Sequence, residues 1–214
     1  MTQSHALLIS QQTALGRTNL VRLAAFLAKI KYFESRITND PAKSETYLKE
    51  VLKQCSLISG IKASHTIIYI KCEHHAHHVL DNLLVFIRTG LYPNLFTEQE
   101  ICHIASEIHP AVKSDRRQER TLHAFNSFLS TVRDKVHVII SLDSSISPSG
   151  LNTLLRRHST LFTDFYIDIY RPFDNEALLA IARFYLYTQA QKTRLAQKMS
   201  INKPAYIMEI AEHG

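Results

Sequence analysis

Residues 11–19 have the layout of a phosphate-binding loop, but they lack most of the side chains that such a loop uses. A loop of the pattern G-x-x-x-x-G-K-[ST] holds phosphate groups through backbone N–H groups and the lysine ammonium, and holds Mg²⁺ through the hydroxyl. Here Gly16 matches the second glycine, while Thr18 and Asn19 are interpreted as standing in the lysine and hydroxyl positions. Arg17 could reach the lysine's place, although a planar guanidinium differs from a compact ammonium. The stretch therefore predicts an impaired phosphate site.

A second group of residues could bind a metal ion. His74 and His78 lie one helical turn apart, and Cys72 is adjacent to them in the chain, so a Zn²⁺ site is an open alternative. Four ligands are not visible, and the spacing matches no recognised arrangement of ligand pairs. These features favour a solvated, pH-responsive surface, and no metal ligand is assigned.

Three other groups are interpreted as structural. His5 and His137 lie in or beside apolar runs and are expected to be satisfied core histidines rather than catalysts. Residues 156–158, Arg-Arg-His, are interpreted as a solvated helix face. The aromatic residues between 162 and 173 have strand and turn spacing, which favours core packing over base stacking.

Apolar patterning predicts the elements that position these groups. Short apolar runs bounded by turns predict strands at residues 5–10, 34–37, 66–70, 136–142 and 165–170. Helical spacing predicts helices at residues 18–33, 41–58 and 77–89, from Thr97, around 122–132, at 151–158 and from Asp174 to about 195. Because strands and helices alternate, the predicted fold class is α/β, a doubly wound parallel five-stranded sheet with the first, third and fourth strands central.

Two details of the helices follow from the same patterns. The inward stripe of the first helix is expected to contain Leu20, Leu23, Ala24, Leu27 and Ile30. The second helix is expected to bury Tyr47 and to end at Gly60.

Composition sets the broad class. The chain has 214 residues, 45% of them hydrophobic and 21% charged, which suits one α/β domain with a sizeable core. Its net charge of +6 comes from lysines and arginines spread along helices, as on an ordinary soluble surface. The three scattered cysteines favour reduced thiols, and no apolar run is long enough for a membrane span. A cytoplasmic, soluble protein is expected.

Several stretches in matching order resemble the fourth AAA+ module of dynein heavy chains. The resemblance covers roughly residues 4–186 and is carried by these segments: Ser4–Ile9, Arg22–Phe26, Pro93–Phe96, Val132-Arg133 with Val136–Ile139, and Ile167-Asp168 with Glu176–Leu179. It implies a P-loop NTPase fold with an AAA+ large subdomain at residues 4–186. Residues 187–214 would then form a C-terminal helical extension or the start of a truncated lid.

The resemblance also implies roles for individual residues. Gly16, Arg17, Thr18 and Asn19 would form a degenerate nucleotide site for ATP or ADP, with Mg²⁺ bound only alongside the nucleotide. Within that site Glu73 matches the acid that orients the attacking water, while Cys72 replaces the neighbouring metal-binding acid. Asp143 falls on the polar residue that senses the γ-phosphate, where an anion would repel phosphate. Hydrolysis would therefore be weak or absent.

The implied partners are other AAA+ modules or dynein chains, with microtubules contacted only indirectly and with no nucleic acid or membrane. The setting would be cytoskeletal, including the axoneme of a cilium. Three functions stay open: a structural or regulatory module in microtubule-based movement, an ATPase with an atypical loop that uses Arg17 and Glu73, and a histidine-rich metal-binding module. The sequence leaves open whether the chain is complete or part of a longer one. An isolated large subdomain is expected to expose apolar surface and to be poorly soluble.

Overall fold

The computed structural model describes residues 4–10, 15–38, 40–72, 77–109, 118–142, 152–153, 156–159 and 161–201. The chain divides into two compact units, residues 1–172 and residues 173–214. The first unit contains the whole sheet, and the second contains one long helix. The predicted boundary between residues 186 and 187 stays a prediction.

The first unit is built on a five-stranded sheet in which every pairing is parallel. The spatial order is β2-β3-β4-β1-β5. The strands are β1 His5–Ser10, β2 Lys31–Ile37, β3 Thr66–Cys72, β4 Val136–Leu142 and β5 Phe165–Tyr170. This order confirms the predicted fold class and the central placement of the first, third and fourth strands.

Helices connect the strands. They are α1 Arg17–Leu27, α2 Pro41–Lys62, α3 His77–Thr89, α4 Glu98–Ile108, α5 Gln118–Lys135, the short α6 Leu161–Asp164 and, in the second unit, α7 Asn175–Ile201. The predicted capping box of α4 is present, because Thr97 accepts a hydrogen bond from the backbone N–H of Glu100 and the Glu100 side chain accepts one from that of Thr97. The structure describes no helix that is long and apolar enough to cross a lipid bilayer.

The central strands are apolar on both sides because helices cover both faces of the sheet. On one face Ile68 and Ile70 of β3 belong to a large core that α2, α3, α4 and α5 complete. On the opposite face Ile67 and Tyr69 belong to a small core completed by Val21 and other residues of α1. Residues that alternate along one strand thus enter two different cores.

The prediction for the first helix is wrong in its end and in its buried face. α1 ends at Leu27 because Lys29 takes a positive φ of 55° and the N–H of Ile30 turns back to the carbonyl of Ala25 at 3.0 Å. The apolar residues that follow belong to β2. The buried positions are Arg17, Val21 and Ala25. Four residues of the predicted stripe are exposed: Leu20 at 52%, Leu23 at 53%, Leu27 at 70%, and Ala24.

Two predictions for the second helix are also wrong. α2 continues through Gly60 to Lys62 and ends where Ala63 takes a left-handed conformation. Tyr47 is exposed rather than buried. Gly60 is required by packing, since a Cβ there would lie 2.1 Å from Cε2 of the Phe128 ring on α5. The glycine therefore marks a close helix crossing inside the core, not a helix end.

We expect Gly60→Ala to destabilise the protein by about 1–3 kcal/mol, because the added methyl group must displace a buried ring. This loss exceeds the gain of about 1 kcal/mol that alanine brings to a helix interior. Urea unfolding followed by circular dichroism measures the change. Phe128→Leu provides the matched background, in which Gly60→Ala should cost less. Equal costs in both backgrounds would contradict the packing explanation.

Candidate functional site at the carboxyl edge of the sheet

The phosphate-loop glycine lies in a left-handed turn directly before α1. Gly16 has φ 76° and ψ 4°, a conformation that glycine adopts without steric cost. A Cβ at this position would meet no described atom within 4 Å, so the backbone angle rather than the available space favours glycine. The carbonyl of Gly16 accepts the N–H of Leu20 at 2.9 Å. The turn therefore opens the helix and makes Arg17 its first residue.

Arg17 turns inward and reaches the end of a central strand. Its side chain is buried, with 6% of the residue exposed. Nη1 donates a hydrogen bond of 2.9 Å to the carbonyl of Leu142, the last residue of β4. A hydrogen bond from a charged donor contributes about 1.5–3 kcal/mol. Arg17 therefore fastens the start of α1 to the carboxyl edge of the sheet.

The next two residues of the predicted site differ in their surroundings. Thr18 is half-buried, and its hydroxyl donates to the hydroxyl of Tyr69 at 3.5 Å, the outer limit for a hydrogen bond. Asn19 is exposed on the first turn of α1. Tyr69 lies on β3 and is almost fully buried, so Thr18 faces the sheet while Asn19 faces solvent.

A second tyrosine lies near the same edge. Burial raises the pKa of Tyr170, at the end of β5, and the charge of Asp168 together with its hydrogen bond to the phenol raises it further. The positive charge of Arg17 opposes this shift. The described part of the site thus combines one arginine with two phenols and a threonine hydroxyl. Such donors suit an anion or a carbonyl oxygen.

Two predicted site residues lie outside the described residues. Glu73 follows β3 and Asp143 follows β4, so the structure gives no position for either carboxylate. The same holds for His74 and for the side chain of His78, so the zinc alternative stays a prediction. Among the described residues, no group of three or more His, Cys, Asp or Glu side chains could hold a metal ion.

The sequence reasoning missed a charged cluster around Glu34 on the α1 side of the sheet. One carboxylate oxygen of Glu34 accepts from Lys71 on β3, and the other accepts from Arg22 at 2.6 Å and from the Tyr32 hydroxyl at 2.7 Å. Burial alone would raise the pKa of Glu34, but these three hydrogen bonds outweigh it and lower the pKa to about 2. The signal in the sequence was the alternation of Tyr32 and Glu34 along one strand, which places both on one face.

A family model described as P-loop containing dynein motor region D4 matches residues 1–212. The chain belongs to this family. The resemblance inferred from the sequence is thereby confirmed. The five-stranded parallel sheet with its flanking helices is the P-loop NTPase fold of an AAA+ large subdomain.

Curated relatives of this D4 family member are dynein heavy chains. The chain is 29% identical over 136 residues to the dynein-1-beta heavy chain of the flagellar inner arm I1 complex of Chlamydomonas reinhardtii, a match that covers 63% of this chain and 3% of that protein. It is 24% identical over 174 residues to human dynein axonemal heavy chain 1, covering 80% of this chain and 4% of the relative. Mouse dynein axonemal heavy chain 5 matches at 26% over 174 residues, with the same two shares. The D4 chain thus spans only a small part of the length of these relatives.

We expect Arg17→Met to lower the free energy of unfolding by about 1–3 kcal/mol, because a methionine keeps the apolar stem but leaves the Leu142 carbonyl without its charged donor. Urea unfolding at pH 7 measures this loss. Asn19→Ala, on the exposed side of the same helical turn, is the control and should change the value by less than about 0.5 kcal/mol. Equal stability of Arg17→Met and the wild type would contradict an anchoring role.

The Glu34 cluster predicts a specific acid dependence. The pKa of Glu34 is lowered in the folded state from 4.5 to about 2. Its contribution to the free energy of unfolding is therefore fully present above pH 4.5 and is lost as the pH falls toward 2. Glu34→Gln should therefore reduce the fall in the free energy of unfolding across this range, measured by urea titration at several pH values. Glu107→Gln, at an exposed position on α4, should keep the wild-type slope. An unchanged slope in Glu34→Gln would show that the cluster does not hold the carboxylate charged.

Proposed function

We propose that this chain is a dynein-type AAA+ module with a structural or regulatory role in microtubule-based movement, and with impaired binding and hydrolysis of ATP. The observation that carries the proposal is the buried guanidinium of Arg17, hydrogen-bonded to the Leu142 carbonyl at 2.9 Å. The proposal places the module at residues 4–186, followed by an extension or partial lid at residues 187–214.

The first step concerns the lysine position. In G-x-x-x-x-G-K-[ST] the lysine directly follows the second glycine, and here Arg17 directly follows Gly16 and begins α1. We therefore assign the lysine position to Arg17, rather than to Thr18 as the sequence was first interpreted. Thr18 then takes the hydroxyl position of the motif, although its hydroxyl contacts Tyr69.

The second step concerns the cost of binding phosphate. To contact a nucleotide, Arg17 would have to leave the Leu142 carbonyl, and that bond is worth about 1.5–3 kcal/mol. Such a cost lowers affinity by roughly ten- to 150-fold. Catalysis of phosphoryl transfer depends almost entirely on positioning and on charge stabilisation by the cation, Mg²⁺ and an oriented water. A diverted cation therefore impairs turnover as well as binding.

The third step concerns partners. α1 exposes the large apolar side chains Leu20, Leu23, Phe26 and Leu27 to solvent, and exposed apolar patches are typical of interaction surfaces. Since the chain spans about 3–4% of its dynein relatives, we propose that it works beside other AAA+ modules or dynein chains and contacts microtubules only indirectly. The flagellar and axonemal names of those relatives favour the cytoskeleton of a cilium, with a general cytoplasmic setting as the alternative.

Calorimetric titration with Mg-ATP tests the proposal. The wild-type chain should bind weakly, without measurable turnover, and Arg17→Lys should bind at least about tenfold more tightly because it restores the motif lysine. ADP provides a second ligand, and Mg²⁺ without nucleotide should give no heat. Micromolar binding of ATP by the wild type, with turnover abolished by Glu73→Gln, would overturn the proposal in favour of an ATPase with an atypical loop.

The zinc alternative has its own measurement. Purified chain that contains one equivalent of Zn²⁺, lost in both His74→Ala and His78→Ala, would support a metal-binding module. Metal-free chain from zinc-supplemented expression would end that alternative.

A further inference from the structure

Three histidines lie together at the amino edge of the sheet, opposite the edge that holds Arg17. His5 is the first residue of β1, His137 is the second residue of β4, and His65 immediately precedes β3. The amino ends of parallel strands meet at one edge, so three residues distant in sequence become neighbours there. The rings of His65 and His137 are nearly parallel, with centroids 5.1 Å apart and planes 7° apart.

A continuous chain of hydrogen bonds passes through two of these rings. Nζ of Lys135, the last residue of α5, lies 3.2 Å from Nε2 of His65. Nδ1 of His65 lies 2.9 Å from Nε2 of His137, and Nδ1 of His137 lies 3.1 Å from the carbonyl oxygen of Ser4. We call these four residues the histidine relay.

The two ends of the histidine relay determine where every proton lies. A lysine ammonium can only donate, so Nε2 of His65 accepts and its Nδ1 carries the proton. That N–H donates to Nε2 of His137, whose own proton must then lie on Nδ1, where it donates to the Ser4 carbonyl. Both rings are therefore neutral, and each is fixed in the Nδ1–H tautomer.

We infer that the histidine relay is a proton-sensitive latch that holds the amino ends of β1, β3 and β4 together and loosens when it takes up one proton. A proton added to Nε2 of His137 would face the N–H of His65. If His65 moved its own proton to Nε2, that N–H would face the ammonium of Lys135. Every arrangement with one additional proton breaks at least one contact of the histidine relay: the contact between Lys135 and His65, or the contact between the two histidines.

His5, on the neighbouring strand β1, makes a further contact that an added proton would break. Its Nδ1 accepts the backbone N–H of Val138 at 3.1 Å, a bond that requires an unprotonated Nδ1. Burial, assisted by the coulombic effect of His137 and opposed by Asp164, lowers the pKa of His5 to about 4. Burial also lowers the pKa of His137, assisted by His65 and Lys135 and opposed by the bond to Ser4.

The charged groups around this edge give the added proton little compensation. Lys31 of β2 is paired in register with Thr66, the residue after His65, so this edge carries a second lysine. Asp164 of α6 is the acid facing His5, and it is already engaged by Arg88 of α3 at 3.0 Å. At the end of α5, Asp134 lies 3.8 Å from Arg133. These described carboxylates therefore pair with arginines.

The sign of the pH dependence follows from the lowered pKa values. A histidine that is harder to protonate in the folded chain adds to the free energy of unfolding. This contribution is fully present above the ordinary pKa of 6.5, and it is lost as the pH falls toward the pKa in the folded chain, which is about 4 for His5. The unfolding equilibrium constant should rise by up to about tenfold per pH unit for each such histidine. The latch is independent of nucleotide and of the proposed function.

Nitrogen-15 NMR of the histidine rings in the full chain tests the proton assignment directly. At pH 7.5 the rings of His65 and His137 should show the Nδ1–H tautomer, and His5 should show Nε2–H. The Nδ1–H tautomer of His65 and His137 is the diagnostic result, because a solvated histidine favours the Nε2–H tautomer. Nε2–H signals from His65 and His137 at pH 7.5 would overturn the histidine relay.

A variant series tests the latch itself. His65→Phe keeps an aromatic ring and removes both nitrogens, so its unfolding equilibrium constant should change at least about threefold less between pH 7.5 and 5.5 than that of the wild type. His123→Gln, at an exposed position of α5, should keep the wild-type change. The same pH dependence in His65→Phe and the wild type would overturn the latch. If His65→Phe does not fold, amide-exchange protection of β1, β3 and β4 in the wild type tests the latch instead. A preferential loss of protection at the amino ends of these strands at pH 5.5 would support the latch. Uniform protection along the strands would contradict it.

Discussion

The hydrogen bond between Arg17 and the Leu142 carbonyl is the constraint on which the site and the first helix both depend. Residues 17, 21 and 25 are spaced four apart, so a buried Arg17 brings Val21 and Ala25 inward after it. The leucines on the other side of α1 then face solvent. One polar anchor thus sets the rotation of the helix, which the apolar pattern alone would have placed differently. Under the proposed function, the same anchor also keeps Arg17 away from phosphate.

The sheet was predictable because its central strands are apolar on both faces. Thr66–Cys72 and Val136–Leu142 are short runs rich in β-branched residues, and such runs are typical of strands that are covered on both faces in a parallel sheet. The end of α1 was not predictable from periodicity, because Ile30, Tyr32 and Phe33 continue an apolar pattern while the backbone reverses at Lys29. Gly60 was misread for a related reason: its role depends on Phe128, a residue on a different helix.

The candidate site was predicted in part. The turn glycine was visible as a motif residue, and its left-handed φ agrees with the reason for expecting glycine there. The burial of Arg17 was not visible, since arginine is rarely buried and its acceptor lies 125 residues away in the chain. The histidine relay was equally hidden, because only strand register brings His65 beside His137. Contacts of this kind are properties of the assembled sheet rather than of any local segment.

The outward leucines of α1 also determine how the isolated polypeptide responds to temperature. Association through apolar surface is driven mainly by the release of ordered water near 25 °C, and this driving force weakens on cooling. Any clustering of separate copies through Leu20, Leu23 and Leu27 would therefore be an entropic process that chilling relaxes. Kosmotropic salts such as sulfate act in the opposite direction, since they strengthen burial of the same side chains. Cold, low-sulfate buffers are accordingly the conditions expected to keep separate copies dispersed.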